Sequence, residues 1–311
     1  NGTLAYAQRH PRADEFELAW ITRAGELTAL AFPPREYRGP RVSPDGTSVA
    51  VGIGGGPGQK SDVWVGELAT GALRRLTLDG RSGAPAWTRD GTRIAYCSFD
   101  GAHNFLAWQA ADGSGLPETL LVFEQDSAPP APLAFAPDAS GLLFIQDRGA
   151  GHSGDILWLD LATRTVREVK ADQAVEFAGS LSPDGHWLAS TSDESGRAEV
   201  YVQAFPGPGS RRQISERGGY PVWSADGREL CYLDGRTIFA VPVQLTPTFA
   251  LGAPRRLLEQ LFRVESETLT NYDVAPDGRF LVVRDTAEEP MDQHVNVVLG
   301  WGAELARLVG E

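Results

Sequence analysis

Serine, histidine and aspartate stand together in Gly151-His152-Ser153-Gly154-Asp155. A nucleophilic relay needs those three types, with the base in hydrogen-bond reach of the hydroxyl and a carboxylate behind the base. Neighbours on one loop rarely satisfy that geometry, and the stretch lacks the Gly-x-Ser-x-Gly spacing of a nucleophile elbow. Asp155 also opens an apolar run, Ile156-Leu157-Trp158, as Asp62 opens Val63-Trp64-Val65, which gives it a structural reading. The histidines, His10, His103, His152, His186 and His294, have neither the close spacing nor the cysteine neighbours of a metal site. No Asp-x-Asp-x-Asp-Gly calcium loop occurs. With 41 Asp and Glu, a glycosidase-like acid/base pair could arise, yet no context marks one. Cys97 and Cys231 fall in repeats three units apart and are expected as free thiols. No catalytic residue, no metal and no cofactor is therefore assigned.

Lys plus Arg is 28 against 41 acidic residues, a formal charge of −13. Nucleic acid and anionic membrane both require a basic face, so neither is expected as a partner. No apolar run approaches the ~18 residues of a membrane span. The chain starts Asn1-Gly2-Thr3, without an initiator Met or signal peptide, and is expected to be a processed or partial polypeptide. Its 35 glycines and 21 prolines among 311 residues indicate many turns between short strands.

The elements that must carry any site follow from a repeat. Ser43-Pro44-Asp45-Gly46 returns as Thr88-Arg89-Asp90-Gly91, Ala136-Pro137-Asp138-Ala139, Ser182-Pro183-Asp184-Gly185, Ser224-Ala225-Asp226-Gly227 and Ala275-Pro276-Asp277-Gly278. The aspartates are 45, 48, 46, 42 and 51 residues apart. Such a period with β character predicts propeller blades, with a hairpin turn between first and second strands. Pro presets φ, Asp bonds the local backbone and Gly takes the left-handed conformation. A third strand is expected at Trp20, Trp64, Trp108, Trp158, Tyr201 and Phe239, and a fourth at Leu73–Leu76, Glu118–Leu121, Thr165–Glu168 and Arg212–Ile214. Asn1–Tyr6 reads as the second strand of a truncated first unit. The expectation is one all-β propeller domain over residues 1–311, with four-stranded blades and seven of them favoured. Six is the alternative, if the N-terminal strands complete the last blade. Leu305-Ala306-Arg307-Leu308 could be a fourth strand or, with Trp301, a helical cap.

The Pro-Asp-Gly repeats resemble the TolB-like, WD40-like propeller repeats of bacteria. The stretch Phe177–Ala189, Ser192–Arg197, Glu199–Gly209 and Gly218–Trp223, with the ending Asn296-Val297-Val298-Leu299-Gly300-Trp301, resembles the propeller that follows the transmembrane helix of bacterial eukaryotic-type serine/threonine kinases. The chain carries no kinase motif: Gly52–Gly58 is glycine-rich but lacks the Lys-Ser/Thr ending of a phosphate loop. The resemblance implies an extracytoplasmic, periplasmic setting, either as the outer part of a receptor-type chain or as a freestanding propeller.

In a propeller the second-to-third-strand loops and the inter-blade loops share one face. That face collects Arg38, Arg81, Glu176, Phe177, Asp193, Glu194, Arg197, Arg217 and Tyr220. Exposed Arg, Tyr and Phe are enriched at binding hot spots. The expected function is non-catalytic: docking a protein or sensing a ligand. Alternatives are an extrinsic scaffold subunit of a larger membrane protein complex and, below that, a hydrolase using carboxylates at the channel mouth.

Overall fold

The computed structural model describes residues 3–7, 16–54, 60–124, 128–146, 154–170, 174–207, 209, 211–246, 248–259, 270–286 and 295–299. Its organising element is the repeated turn. Ser43 Oγ donates to Asp45 Oδ1 at 2.5 Å and accepts the Ser48 N–H at 2.9 Å, while Asp45 Oδ1 accepts the Thr47 N–H at 3.0 Å. Thr88 with Asp90, Ser182 with Asp184 and Ser224 with Asp226 repeat this box. Where alanine replaces the serine, Asp138 and Asp277 still accept the N–H two residues on. The aspartates are thus structural. Gly46 closes its turn at φ +74°, and Ala139 takes the same left-handed conformation at +58°.

On either side of each turn lie the strands. Blade 1 comprises Tyr37–Val42, Ser48–Gly54, Ser61–Glu67 and Leu73–Arg75. Blade 2 comprises Gly83–Trp87, Arg93–Phe99, His103–Ala110 and Glu118–Glu124. Blade 3 is Ala131–Phe135, Gly141–Gln146, Asp155–Asp160 and Val166–Lys170; blade 4 is Glu176–Leu181, Trp187–Ser192, Glu199–Ala204 and Arg212–Gln213. In blade 5, Gly219–Trp223, Glu229–Asp234 and Thr237–Gln244 are followed by Ala250–Leu251 and Arg255–Glu259, both paired with the third strand. All pairings are antiparallel, and the inner strands contact one another in a closed ring.

Blade 6 corrects the count of seven. Its inner strands, Tyr272–Val274 and Phe280–Asp285, come from the C-terminal region; its outer strands, Phe16–Ile21 and Leu27–Ala29, come from the N-terminal region. The closing ladder pairs Leu18 with Val283 and Trp20 with Leu281, and Arg284 pairs with Glu17 across it. Phe16–Ile21 is almost wholly buried, so it requires a paired edge and two covering faces. The second strand of the last repeat supplies the edge, which leaves six blades among the described residues. Thr3–Ala7 pairs instead with Val295–Leu299 in a separate two-stranded sheet. Leu305–Leu308 and Trp301 lie outside the described residues.

The apolar cores lie between blades rather than within them. Ala50, Val63 and Leu76 of blade 1 pack on Ile94, Tyr96 and Ala107 of blade 2. Six further clusters fill the other junctions, two of them between blades 2 and 3 and one closing blade 6 on blade 1. Each fully buried Leu, Ile or Phe there contributes about 1.5–3 kcal/mol. Aromatics at the third-strand register take part: Trp158 packs edge-on to Phe205 at 5.1 Å across the junction of blades 3 and 4. Arg279, Arg93 and Arg211 lie over Trp20, Trp108 and Tyr201 at 4.1–4.5 Å. Cys97 and Cys231 are free thiols.

At four junctions the turns nest. Gly46 lies against Pro276, Gly91 against Pro44, Gly185 against Pro137 and Gly227 against Pro183. A Cβ on Gly91 would stand 3.6 Å from Pro44 Cδ, an ordinary contact, so only its φ of +70° resists a side chain. Gly91→Ala is expected to cost about 1–2 kcal/mol in urea denaturation. Ala139→Gly should stabilise by less, because added unfolded-state freedom offsets about 0.5–1 kcal/mol of the relief.

The Ser and Thr hydroxyls, with backbone N–H groups, hold Asp45, Asp90, Asp138 and Asp226 below the usual carboxylate range. With the folded pKa below the unfolded one, each stabilises the fold above the unfolded value of about 3.9 and loses that contribution as pH falls through the folded pKa. Asp45→Asn should therefore lower the melting temperature at neutral pH, with the gap to the parent closing as pH falls below about 4.

Candidate functional site

Each second-to-third-strand connection returns on the side opposite the turns, and there the candidate residues separate. Arg38 enters from the inner strand of blade 1 and donates to Glu36 Oε1 at 2.5 Å. Exposed Arg81, on the connection from blade 1 to blade 2, lies over the Phe99 ring at 5.7 Å. Arg217, on the connection from blade 4 to blade 5, stands 3.7 Å from Asp234 with 70% of its side chain exposed. Phe177 and Tyr220 are half-buried at bulges that begin the inner strands of blades 4 and 5.

Blade 4 gathers the rest into a network. Glu176 is fully buried, and Arg211, just ahead of the fourth strand, reaches inward to its Oε1 at 3.3 Å. Arg211 also pairs with Glu194, approaches Ser190 Oγ at 3.4 Å and lies 4.1 Å over the Tyr201 ring. The Tyr201 hydroxyl donates to Glu199 Oε2 at 2.7 Å, and Arg197 Nε donates to Glu199 Oε1 at 2.9 Å. Burial works against ionisation of Glu199, but those two donors hold its pKa below the ordinary value. Burial and then the Glu199 bond push the Tyr201 hydroxyl up to about 12. Asp193 Oδ1 accepts the Val175 N–H at 2.7 Å, tying the loop to the inner strand. Glu176 and Glu194 thus converge on one guanidinium. Among the described residues no ion pair joins Arg38 or Arg81 to them. The sequence reading missed Arg211; its signal is weak, one arginine of Arg211-Arg212 ahead of a two-residue outer strand.

Tyr220 carries the left-handed φ of +60° on a residue with a side chain. Its N–H donates to Thr191 Oγ1 of blade 4 at 2.8 Å, and its carbonyl accepts the Tyr272 hydroxyl of blade 6 at 2.7 Å. The bulge positions Gly39 and Ala84, also before proline, have the same φ sign. The conformation therefore belongs to the bulge, and blade 5 places an aromatic on it.

The channel wall holds a charged pair absent from the sequence reading. Arg41 and Asp273 are half-buried, both four residues before a turn aspartate, on adjacent inner strands. Arg41 Nη1 donates to the Thr270 carbonyl at 3.0 Å, and Asp273 Oδ2 accepts the Val42 N–H at 2.8 Å. Burial raises the Asp273 pKa, partly opposed by Arg41, and burial lowers that of Arg41. Two opposite charges at one register of adjacent inner strands were the available signal. A guanidinium beside a carboxylate is not the carboxylate pair that glycoside hydrolysis uses.

Asp155 is buried at a strand start, as Asp62 is. Asp62 Oδ1 accepts Thr77 Oγ1–H at 2.8 Å and the Gly80 N–H at 3.1 Å. His152, Ser153, His10, His294 and Gly55–Gly58 lie outside the described residues. On the turn face a groove of about 550 Å³ opens between blades 1 and 2, lined by Asp45, Arg74, Trp87, Arg89 and Asp112 among others.

Residues 81–290 match the TolB beta propeller domain, PD40. The chain belongs to the TolB β-propeller domain family. Among solved structures, this TolB propeller is similar to a putative TolB from Agrobacterium tumefaciens, at TM-score 0.66 and 16% identity over 88% of this chain and 98% of that one. TolB from Acinetobacter baumannii matches at TM-score 0.58 and 16% identity over 80% and 67%. Oligogalacturonate lyase from Vibrio parahaemolyticus matches at 0.54 and 11% over 92% and 97%. At such identities the likeness establishes the fold, and that fold carries an enzyme as well as TolB proteins. Among the described residues of this TolB propeller no three His, Cys, Asp or Glu side chains converge as metal ligands. No described helix is long and apolar enough to cross a membrane.

Arg211→Met should destabilise the TolB propeller by about 3 kcal/mol, because buried Glu176 loses the guanidinium on its Oε1. Arg197→Ala, whose side chain is 59% exposed, should cost less than about 1 kcal/mol. Guanidinium denaturation of the two variants checks the contrast.

Proposed function

We propose that this propeller is a non-catalytic binding module that docks a protein partner outside the cytoplasm through its loop face. The observation that carries the reading is the disposition of that face: exposed Arg81, Arg197 and Arg217, with half-buried Phe177 and Tyr220, distributed around the loop side of a closed ring. Guanidinium and aromatic groups are the types that dominate binding energies, and a rigid scaffold lets them bind with little ordering cost. Elsewhere the aspartates that might do chemistry are occupied as turn acceptors and strand-start acceptors. The extracytoplasmic setting rests on membership of the TolB propeller family. A scaffold subunit on a larger membrane protein complex would use the same face and differs only in the size of what it joins.

The test places a photoreactive benzoylphenylalanine at Phe177 or Arg217, and separately at Arg89 or Asp112 in the turn-face groove, in the full chain expressed in its own cell. One common adduct from the two loop-face positions, and none from the groove, is expected. An adduct from the groove alone would overturn the reading. Native gels of the adduct then separate a simple partner from a large assembly.

A further inference from the structure

The six junctions are not equivalent. Proline nests against glycine at four of them, but blade 2 carries Arg89 and blade 5 carries Ala225 where the others carry proline. Facing these are Ala139, which is not a glycine, and Gly278, whose missing Cβ would meet Arg23 rather than a proline ring. The two open junctions, 2/3 and 5/6, lie diametrically opposite. They divide the ring of turns into two arcs of three nested blades, 6-1-2 and 3-4-5.

Apart from the Arg41 and Asp273 charges on the channel wall, the ion pairs that cross from blade to blade among the described residues lie at these same two junctions. At 2/3, Arg164 of blade 3 pairs with Glu118 of blade 2, which also faces Arg93 at 3.4 Å. At 5/6, Arg23 of blade 6 pairs with Glu229 of blade 5, which also pairs with Arg255. Each is an Arg–Glu–Arg bridge whose far arginine sits in the third-to-fourth-strand turn of the following blade. Arg164 holds φ +58° in Leu161-Ala162-Thr163-Arg164, where the matching Leu68-Ala69-Thr70-Gly71 of blade 1 has glycine at +75°. The sequence thus accepts backbone strain to place a charge at the junction. Blades 2 and 5 also share Gly-x-Pro-x-Trp, at Gly83–Trp87 and Gly219–Trp223, offset by 136 residues, as Arg93 is from Glu229. A three-blade unit used twice has the two bridges as its matching joints, with the positions of acid and base exchanged.

The geometry points to a hinge: two rigid three-blade halves that open and close along the diameter through junctions 2/3 and 5/6, with the Glu118 and Glu229 bridges as its latches. Apolar clusters hold all six junctions, these two included; what sets 2/3 and 5/6 apart is that part-exposed ion pairs, which salt screens, stand where the other four have van der Waals nests, which it does not. Both junctions meet the central channel, so a small rotation about them, with the apolar clusters and the Tyr272–Tyr220 bond kept as pivots, changes its bore without unpairing any blade.

Electron spin-echo distances on the full chain test this. Cys231 is buried with its thiol pushed up to about 12, and half-buried Cys97 is pushed to about 11, so label goes to introduced cysteines at neutral pH. One pair, Ser114→Cys with Ala162→Cys, spans junction 2/3; a second, Thr246→Cys with Ala24→Cys, spans 5/6; a control, Ala69→Cys with Ser114→Cys, stays within one half. Raising NaCl to about 1 M, where the Debye length is about 3 Å, is expected to broaden both cross-junction distributions and leave the control unchanged. Glu118→Gln, which keeps an acceptor for Trp108 Nε1, should broaden the 2/3 distribution at low salt. Arg89→Pro with Ala139→Gly, which supplies the missing nest, should narrow it again. Equal responses from control and cross-junction pairs, or no response to salt, would overturn the hinge.

Discussion

The ladder between Phe16–Ile21 and Phe280–Asp285 is the interaction on which the rest depends. No blade can bury its own apolar faces, because each core belongs to two adjacent blades. A sheet buried on both sides is stable only if the row of sheets returns on itself. In an open row, the clusters around Leu18, Trp20 and Tyr37, and around Tyr272, Phe280 and Val282, would lose a wall. Closure also fixes the inner strands around the channel, and so the positions of Arg41, Asp273, Phe177 and Tyr220.

Much of this was legible in local sequence. The Ser-x-Asp-Gly box has one conformation because Asp, Ser and Gly each satisfy a specific backbone demand within five residues, and all six copies form turns. The third-strand aromatics at Trp20, Trp64, Trp108, Trp158, Tyr201 and Phe239 were equally legible, since burial between blades demands bulk at one register. Blade number was not. Thr3–Ala7 reads as a second strand by composition, and only the competition for the edge of Phe280–Asp285 decides that Phe16–Ile21 takes it. That competition is between segments more than 250 residues apart, and no local pattern records it. The channel pair and Arg211 escaped for the same reason: their partners lie on other strands or blades.

Charge is distributed by purpose across the two faces. On the turn face, carboxylates accept from hydroxyls and N–H groups a few residues away, which makes them acid-sensitive structural parts. Inside blade 4, Glu176 is compensated by Arg211 and Glu199 by Arg197 and Tyr201, so removing one member strands another. On the rim of the loop face, Arg81 and Arg217 lean on their own blades through weak contacts and keep most of their donors available. In an acidic protein of net charge −13, guanidinium groups displayed there among carboxylates favour orientation of a partner over long-range attraction.

The shared sixth blade also shapes how the chain can reach its fold during synthesis. Phe16–Ile21 is made about 260 residues ahead of its partner strand. At roughly 5–20 residues per second, that apolar strand waits on the order of 10–50 s for its edge. Blades 1 to 5 have all their strands in sequential order and can assemble as they emerge. The propeller thus grows as an arc with one unsatisfied strand at its leading end, and the ladder that turns the arc into a ring forms only after blades 1 to 5 are complete. Joining segments so distant along the chain carries a large loop-closure cost, exceeded among the described ladders only by that of Thr3–Ala7 with Val295–Leu299. The interval before closure is when Leu18, Trp20 and Ile21 are exposed to the wrong edge, another chain's included.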